Sequence, residues 1–260
     1  MAKFCANISF MFNNMPLVDR YVAAKNAGFK AVESGFPFNY SLDLMLLAKS
    51  NADIEQVLIN TYTGDVTKGE MGFAAIPGKT PEFRKSMEKT ITYAKALKVK
   101  KIHIMAGNVA KPTPKNDVCY IENLRMAAKM LEANNIMGVI EPINNHTVPD
   151  YYLNSYEKAT DVVKCIDSPN LKIMLDLFHM QKICGNLTMT IEKLVPYTGH
   201  VQIAQSPDRH EPDSPGEINY PYVLDVLRKA GYNDWIGLEY KPAGDLVSGL
   251  KWIQSFGYEL

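Results

Sequence analysis

Residues 139–146, with the sequence VIEPINNH, are the most informative stretch of the chain. Apolar residues lead into a single carboxylate, Glu141, and Pro142 then interrupts the regular backbone. This pattern predicts a short buried strand that carries one acid to the rim of a sheet.

Three later stretches repeat the pattern of an apolar strand that ends in a polar side chain. The runs LKIMLDL, HVQIAQ and WIGLEY present Asp176, Gln202 and Glu239 near their C-terminal ends. One acid at a strand end is often a solvated charge or a loop cap. Four polar groups at four consecutive strand ends instead indicate a shared site.

The whole chain divides into eight alternating strand and helix units. Strands that alternate with helices pair in parallel, because each crossover helix returns the chain to the same edge of the sheet. Eight units in 260 residues match the usual size of a closed barrel. A doubly wound sheet is disfavoured because no phosphate-binding glycine fingerprint follows the first strand. We therefore predict an α/β fold, a single (β/α)8 TIM barrel spanning residues 1–260, with strands near residues 4–10, 30–35, 54–61, 101–107, 137–141, 171–177, 200–205 and 235–240.

Composition and charge limit the classes of partner. Hydrophobic residues make up 47% of the chain and charged residues 22%, which favours a globular protein with a sizeable core over a disordered one. Lys and Arg together number 28, as do Asp and Glu, so no net charge attracts nucleic acid or an anionic membrane. We expect a small-molecule substrate and neither nucleic acid nor a membrane as partner.

The cysteines and the N-terminal residues bear on the compartment. The chain has four scattered cysteines without a CxxC pair, and its first residues contain too short an apolar run for a secretory signal. We expect reduced thiols and a cytoplasmic protein. The cysteines are Cys5, Cys119, Cys165 and Cys184.

A long polar and glycine-rich connection covers residues 64–79. Connections longer than about 12 residues are uncommon in compact domains and are often functional loops. The sequence leaves two interpretations equally open, a lid over the site or a surface insertion.

Converging carboxylates repel one another and raise one another's pKa unless a cation neutralises them. The group therefore predicts either a divalent metal site or an acid–base pair that shares a proton. Oxygen ligands of this kind suit Mg²⁺ or Mn²⁺. The predicted metal ligands are Glu141, Asp176, Gln202 and Glu239, and whether the reaction requires the metal is left open.

Two further side chains are candidates for substrate binding. His179 follows Asp176 at a spacing that takes it over the mouth of the barrel, where it is either a hydrogen-bond donor to substrate or a packed residue. Arg209 lies in the loop after the seventh strand, and its planar guanidinium is suited to binding a substrate carboxylate. The remaining buried or loop histidines are expected to serve packing or local hydrogen bonding: His103, His200 and His210.

Seven runs of sequence together resemble the hydroxypyruvate isomerase family, within the larger group of xylose-isomerase-like barrels. The resemblance extends over nearly the whole chain, and the runs are ANISFMF, GEMGFAAIPGKTPEFR, VIEPIN, LDLFHMQ, GHVQIAQSPDRHEP, GEINY and GLEYKP. It implies interconversion of hydroxypyruvate and 2-hydroxy-3-oxopropanoate (tartronate semialdehyde) through an enediolate, with Glu141 and Glu239 as the catalytic pair. The resemblance also implies that Asp176 and Gln202 complete the metal site and that His179 and Arg209 contact substrate.

Two positions depart from the family pattern. Gln205 stands where an acid usually follows the seventh strand, which bears on loop geometry and substrate preference. Gln202 replaces the histidine of the ketose 3-epimerase branch, which favours the isomerase over that rival.

Two other barrel proteins remain as alternatives. A phosphodiesterase of the endonuclease IV kind needs a histidine-rich zinc site, and the chain has only five histidines. A barrel that binds a metabolite without turnover is less compatible with intact acids at four strand ends. A homo-oligomer is possible if the aromatic residues Tyr151, Tyr152 and Trp252 are exposed and cover an interface; otherwise they pack helices onto the barrel.

Overall fold

A computed structural model describes residues 2–260, and its centre is a closed barrel of eight parallel strands. The strands follow one another in chain order around the barrel, and β8 pairs with β1 to close it. The predicted (β/α)8 architecture is confirmed. The strands are β1 Lys3–Asn7, β2 Ala31–Ser34, β3 Glu55–Asn60, β4 Lys101–His103, β5 Met137–Ile140, β6 Leu171–Asp176, β7 Thr198–Ile203 and β8 Trp235–Leu238.

Ten α-helices connect and cover the strands among the described residues. Their starts follow local chemistry: Ser41, the N-cap of α2, accepts a hydrogen bond from the Leu44 amide. No helix of residues 2–260 is long and apolar enough to span a membrane. The helices are α1 Leu17–Asn26, α2 Leu42–Ala52, α3 Thr80–Ala96, α4 Pro114–Glu132, α5 Tyr156–Ile166, α6 Leu177–Ile183, α7 Leu187–Leu194, α8 Tyr220–Lys229, α9 Leu246–Gly249 and α10 Lys251–Ser255.

Helix α6 is the main element that the sequence did not predict. The Asp176 carboxylate ends β6 and accepts a hydrogen bond from the Phe178 amide, which caps the new helix directly. The apolar run through Leu177 predicted a strand up to residue 177 and no helix directly after it. Because the helix begins at once, His179 is held in its first turn rather than on a loose segment.

The aromatic residues considered for an interface are buried in the core. Tyr151 and Tyr152 are 1% and 2% exposed, and Trp252 is 1% exposed. The Trp252 indole packs edge-on against Phe4, with ring centroids 5.3 Å apart. The idea that these side chains are exposed and cover an oligomer interface was wrong, because they are buried and pack helices and loops onto the barrel.

The connection at residues 64–79 has two differently anchored parts. The first part contains the 3-10 turn Val66–Lys68 and is largely exposed. In the second part, Gly72 forms a bridge to Ala106 beyond β4, and the Ala75 amide donates to the Ala106 carbonyl at 2.8 Å. Gly72 has a φ of 107°, and a Cβ there would lie 2.3 Å from the Met105 carbonyl oxygen. The second part is therefore fixed to the barrel.

Candidate active site

The four polar side chains that the sequence places at strand ends meet in one buried site. Asp176 ends β6, Gln202 lies in β7, and Glu141 and Glu239 directly follow β5 and β8. Glu141, Asp176 and Gln202 are at most 4% exposed, and the side chain of Glu239 is 16% exposed. Parallel strands end at the same face of the barrel, which is why positions far apart in sequence converge.

Arg209 is the cation at the centre of this cluster. Its Nη2 donates to Asp176 Oδ2 at 2.9 Å and to Glu239 Oε2 at 2.5 Å. The guanidinium lies between the rings of Phe10 and Phe178, 4.8 and 4.6 Å from their centroids. Burial opposes its charge, but Glu239 and Asp176 outweigh burial and raise the pKa of Arg209. Arg209, which the sequence analysis assigned to a substrate carboxylate, binds two carboxylates of the protein here.

The side-chain amide of Gln205 holds together the loop after β7, which carries Arg209. The amide oxygen accepts from the Ser206 and Ile218 amides at 3.0 and 2.9 Å. The amide nitrogen donates to the Pro212 and Ile218 carbonyls at 3.2 and 3.0 Å. A carboxylate only accepts hydrogen bonds, so an acid at this position would leave both carbonyls without a donor. Gln205 therefore closes the loop, and its own carbonyl accepts from the Arg209 amide at 2.8 Å.

Asn144 sets the tautomer of His179. The Asn144 side-chain oxygen accepts from the His146 and Thr147 amides, which directs its Nδ2 toward His179 Nδ1 at 2.6 Å. The Asn144 backbone amide also donates to Nδ1, at 3.2 Å. Burial lowers the pKa of His179 to about 3, so the ring is neutral and carries one proton. Because Nδ1 accepts, that proton lies on Nε2.

The Nε2 atom of His179 faces three charged groups. It lies 3.2 Å from Arg209 Nη1, 3.5 Å from Asp176 Oδ2 and 3.9 Å from Glu141 Oε1. Arg209 Nη1 and the protonated Nε2 are both donors, so they do not hydrogen-bond to each other. Two neighbouring donors of this kind are arranged to share one oxygen atom of a ligand.

Glu141 and Glu239 have properties that suit proton transfer. Glu141 Oε1 is buried without a hydrogen-bond partner, and Oε2 lies 3.6 Å from His103 Nε2, which also has none. Burial, followed by the charges of Glu239 and Asp176, raises the pKa of Glu141 well above its ordinary value. Burial also raises the pKa of Glu239 to about 8, although Arg209 opposes the shift. Carboxyl groups with raised pKa values exchange protons near neutral pH.

The proposed metal ligands provide a suitable set of donor atoms. Glu141 Oε1 and Gln202 Oε1 are both buried without a partner. Ligand atoms of Glu141, Asp176 and His179 lie within 4.8 Å of one another. These residues fit an Mg²⁺ or Mn²⁺ ion. Glu239 differs from the rest of the predicted set, because its Oε2 is bound by Arg209, and an ion there would share the carboxylate with the guanidinium.

The site contains groups that the sequence analysis did not assign to it. Asn7, the last residue of β1, donates from one Nδ2 to Glu33 Oε1 and to Glu239 Oε1, both at 2.9 Å. Glu33, in β2, is completely buried and lies 2.6 Å from His200 Nε2. Packing or local contacts had been expected for His200, which instead contacts this distant carboxylate. The available signal was a glutamate inside the short apolar run KAVESG.

The fold and the site define an enzyme that places a buried pair of glutamates at the C-terminal end of a (β/α)8 barrel. The sequence profile of the xylose isomerase-like TIM barrel family matches residues 21–256. The chain therefore belongs to this family.

Three similar proteins align with nearly the whole chain. A Danio rerio protein provisionally named hydroxypyruvate isomerase is 42% identical over 98% of this chain and 95% of its own length. The 2-oxo-tetronate isomerase of Haemophilus influenzae is 39% identical over 98% of this chain and 100% of its own length. A crystal structure named AP endonuclease, family 2, from Brucella melitensis superimposes with a TM-score of 0.95 at 40% identity, covering 98% of this chain and 99% of the other. The two relatives that are named isomerases show that the chain is an isomerase of this family.

Proposed function

We propose that the protein interconverts hydroxypyruvate and 2-hydroxy-3-oxopropanoate through an enediolate, using Glu141 and Glu239 as a proton-transfer pair. The observation that carries the proposal is the pair itself: two buried carboxyl groups with raised pKa values. Glu141 Oε1 accepts no hydrogen bond from residues 2–260, so it is available to a substrate.

The reaction moves two hydrogens between neighbouring carbon and oxygen atoms. One glutamate, ionised, removes a proton from C3, the hydroxymethyl carbon of hydroxypyruvate, and the C2 carbonyl becomes the enediolate oxygen. The other glutamate, protonated, delivers a proton to C2. The hydroxyl proton leaves O3 and the O2 oxygen gains one, so the product carries an aldehyde at C3 and a hydroxyl at C2. General acid and base groups of this kind contribute about 10²–10⁴-fold each.

Arg209 and His179 would bind the substrate oxygens. Arg209 Nη1 and His179 Nε2 are adjacent donors, 3.2 Å apart, without a common acceptor in the protein. A substrate carboxylate or the enediolate oxygen can supply that acceptor, and both carry negative charge. Charge-assisted hydrogen bonds to such an oxygen are shorter and stronger than neutral ones.

A divalent ion, if bound, would be held by Glu141, Asp176 and Gln202, with Glu239 shared between it and Arg209. It would supply electrostatic stabilisation of negative charge on the substrate oxygens. Whether turnover requires it is part of the test below.

A second substrate is favoured by one specific finding. The Haemophilus influenzae relative is named a 2-oxo-tetronate isomerase and is 39% identical to this chain. A 2-oxo-tetronate is a hydroxy-keto acid with one more carbon, so the same proton transfer and the same carboxylate contact apply to it.

The deciding experiment is proton NMR of metal-stripped protein with hydroxypyruvate in D₂O, repeated after addition of Mg²⁺ or Mn²⁺. We expect 2-hydroxy-3-oxopropanoate with solvent deuterium at C2. A parallel sample contains a 2-oxo-tetronate, and a third contains a neutral ketose. Turnover of the ketose alone would support a 3-epimerase and contradict the proposal, and no turnover of any of them by folded protein would leave a non-catalytic barrel.

A further inference from the structure

Glu33 is a charged side chain inside the barrel that the proposed reaction does not use directly. It is fully buried in the middle of the structure, and its carboxylate receives hydrogen bonds from Asn7 at 2.9 Å and Gln202 at 2.7 Å. His200 Nε2 lies 2.6 Å from its second oxygen. Lys101 Nζ lies 3.3 Å from His200 Nδ1, so Nδ1 accepts and the protonated Nε2 donates to Glu33. Asn7, Gln202 and His200 are therefore all donors, and the Glu33 carboxylate accepts from each of them.

Strand β8, which is separated from β2 by β1, leaves room for this carboxylate. A Cβ at Gly237, in β8, would lie 2.4 Å from Glu33 Oε1 and 2.5 Å from Oε2. Any other residue at Gly237 would collide with the carboxylate. The close approach allows Glu33 to reach across the barrel to side chains from β1 and β7.

Glu33 dictates which end of the Gln202 amide faces the reacting groups. Gln202 Nε2 donates to Glu33 Oε1 at 2.7 Å, and a carboxylate oxygen in this place accepts only the NH2 end of the amide. The amide oxygen then points away, and Gln202 Oε1 is buried without a partner among residues 2–260. A buried amide oxygen without a donor costs free energy unless a ligand provides the donor or the cation.

Glu33 also acts on Glu239 through Asn7. The Asn7 side-chain oxygen accepts from the Ser9 amide at 3.0 Å, which fixes the orientation of the amide. Its Nδ2 then donates to both Glu33 and Glu239 at 2.9 Å. One amide group thus joins the interior carboxylate to a glutamate of the proposed proton-transfer pair.

We propose that Glu33 is a positioning residue, which orients the Gln202 amide so that its oxygen faces an electropositive group in the site and holds Glu239 in place through Asn7. The electropositive group is either a hydroxyl hydrogen of the substrate or a divalent cation. This inference rests on the proposed function, because it assigns Glu33 a role in that reaction.

The first test is Glu33→Gln, which removes the charge of the side chain and keeps its shape. A glutamine offers one carbonyl oxygen to Asn7, Gln202 and His200, which now share two carboxylate oxygens of Glu33, so the Gln202 amide loses its fixed orientation. We expect kcat to fall about 10- to 100-fold, the range for a lost hydrogen bond to a charged group, with a smaller change in KM. The matched control is Cys5→Ala, because the Cys5 thiol also donates to Glu33, at 3.7 Å, but makes no hydrogen bond to Gln202 or Asn7. The control should keep the wild-type kcat.

Titration with Mn²⁺ separates the two possible ligands of the Gln202 oxygen. Weaker Mn²⁺ binding in Glu33→Gln than in wild type would identify the cation. Unchanged Mn²⁺ binding together with the lower kcat would identify the substrate hydroxyl. A wild-type kcat in folded Glu33→Gln would overturn the proposal.

The side-chain amide signals of Gln202 test the geometry without any turnover. In wild type, one Gln202 amide hydrogen should be shifted downfield and protected from solvent exchange, and Glu33→Gln should abolish both properties. Exposed amide hydrogens in wild type would contradict the inference even if Glu33→Gln failed to fold. If wild type turns over no hydroxy-keto acid while these signals behave as expected, the proposed function is wrong and the positioning by Glu33 stands.

A reciprocal exchange provides a second variant. Gln202→Glu alone places two carboxylates at hydrogen-bond distance, whereas Glu33→Gln with Gln202→Glu restores a donor and an acceptor. We expect the double variant to lose less activity than the product of the two single losses, as for residues in direct contact. Strictly multiplicative losses would count against the contact.

Discussion

Replacing Arg209 by methionine tests the electrostatic centre of the site. Arg209 is 7% exposed and pairs with Asp176, which is 0% exposed, and with Glu239. Methionine keeps an extended side chain between Phe10 and Phe178 but removes the charge. Two buried carboxyl groups would then face each other without a cation.

The expected loss of stability is large. Breaking a buried ion pair by removing one partner costs about 3–5 kcal/mol, because the remaining charge is left uncompensated. Each kcal/mol of lost stability lowers the melting temperature by ~2–4 °C in a protein slightly smaller than this one, so the melting temperature should fall by ~6–20 °C. Arg209 also opposes the upward pKa shift of Glu239, so its removal should raise the pKa of Glu239 further. The loss should therefore be smaller at low pH, where Glu239 is protonated.

The assay is urea unfolding followed by circular dichroism at pH 6 and pH 9, with Arg228→Met as the control. Arg228 also pairs with a carboxylate, Asp225 at 2.6 Å, but its side chain is 62% exposed. An exposed pair contributes little, so the control should unfold close to wild type. Equal unfolding midpoints for the two variants would refute the view that Arg209 neutralises the buried carboxyl groups.

Three further predictions concern the glutamate pair and His179. Glu239→Gln should abolish turnover in the D₂O assay while circular dichroism shows an intact fold; wild-type turnover would remove Glu239 from the pair. Because the pKa of Glu239 is raised to about 8 from 4.5, the folded state keeps a proton that the unfolded state has lost between these values, and stability should fall as pH rises through this window. Urea unfolding from pH 5 to pH 8 should show a shallower fall in Glu239→Gln than in wild type, and equal slopes would contradict the raised pKa. Asn144→Asp replaces the side-chain donor at His179 Nδ1, at 2.6 Å, by an acceptor and leaves only the longer backbone donor at 3.2 Å. The proton should then move from Nε2 to Nδ1 and kcat should fall; imidazole nitrogen shifts unchanged from wild type would disprove the tautomer assignment.

Most of the fold was predictable because it depends on local patterns. Apolar strand runs, Pro81 near the start of α3 and Ser41 before α2 each act through neighbouring residues. The errors also have local causes. β1 ends at Asn7 rather than at residue 10, because the Asn7 side chain accepts a hydrogen bond from the Ser9 amide and the chain turns there. The last helical part of the chain consists of two short helices, Leu246–Gly249 and Lys251–Ser255.

The sequence by itself determined which polar groups reach the rim of the barrel. Parallel strands in consecutive order bring Glu141, Asp176, Gln202 and Glu239 to one face, and this follows from strand positions alone. Their proximity was therefore predictable, although their individual partners were not.

Only the tertiary structure decided the contacts that give these groups their chemistry. Asn7 and Glu239 are 232 positions apart in the chain, yet one hydrogen bond of 2.9 Å joins them. Single interatomic distances likewise decide the ion pairs of Arg209, the hydrogen bonds of the interior Glu33 and the proton on His179 Nε2. Hydrogen bonds and pKa shifts change steeply over about 1 Å, whereas sequence patterns place a side chain only on a strand and a face.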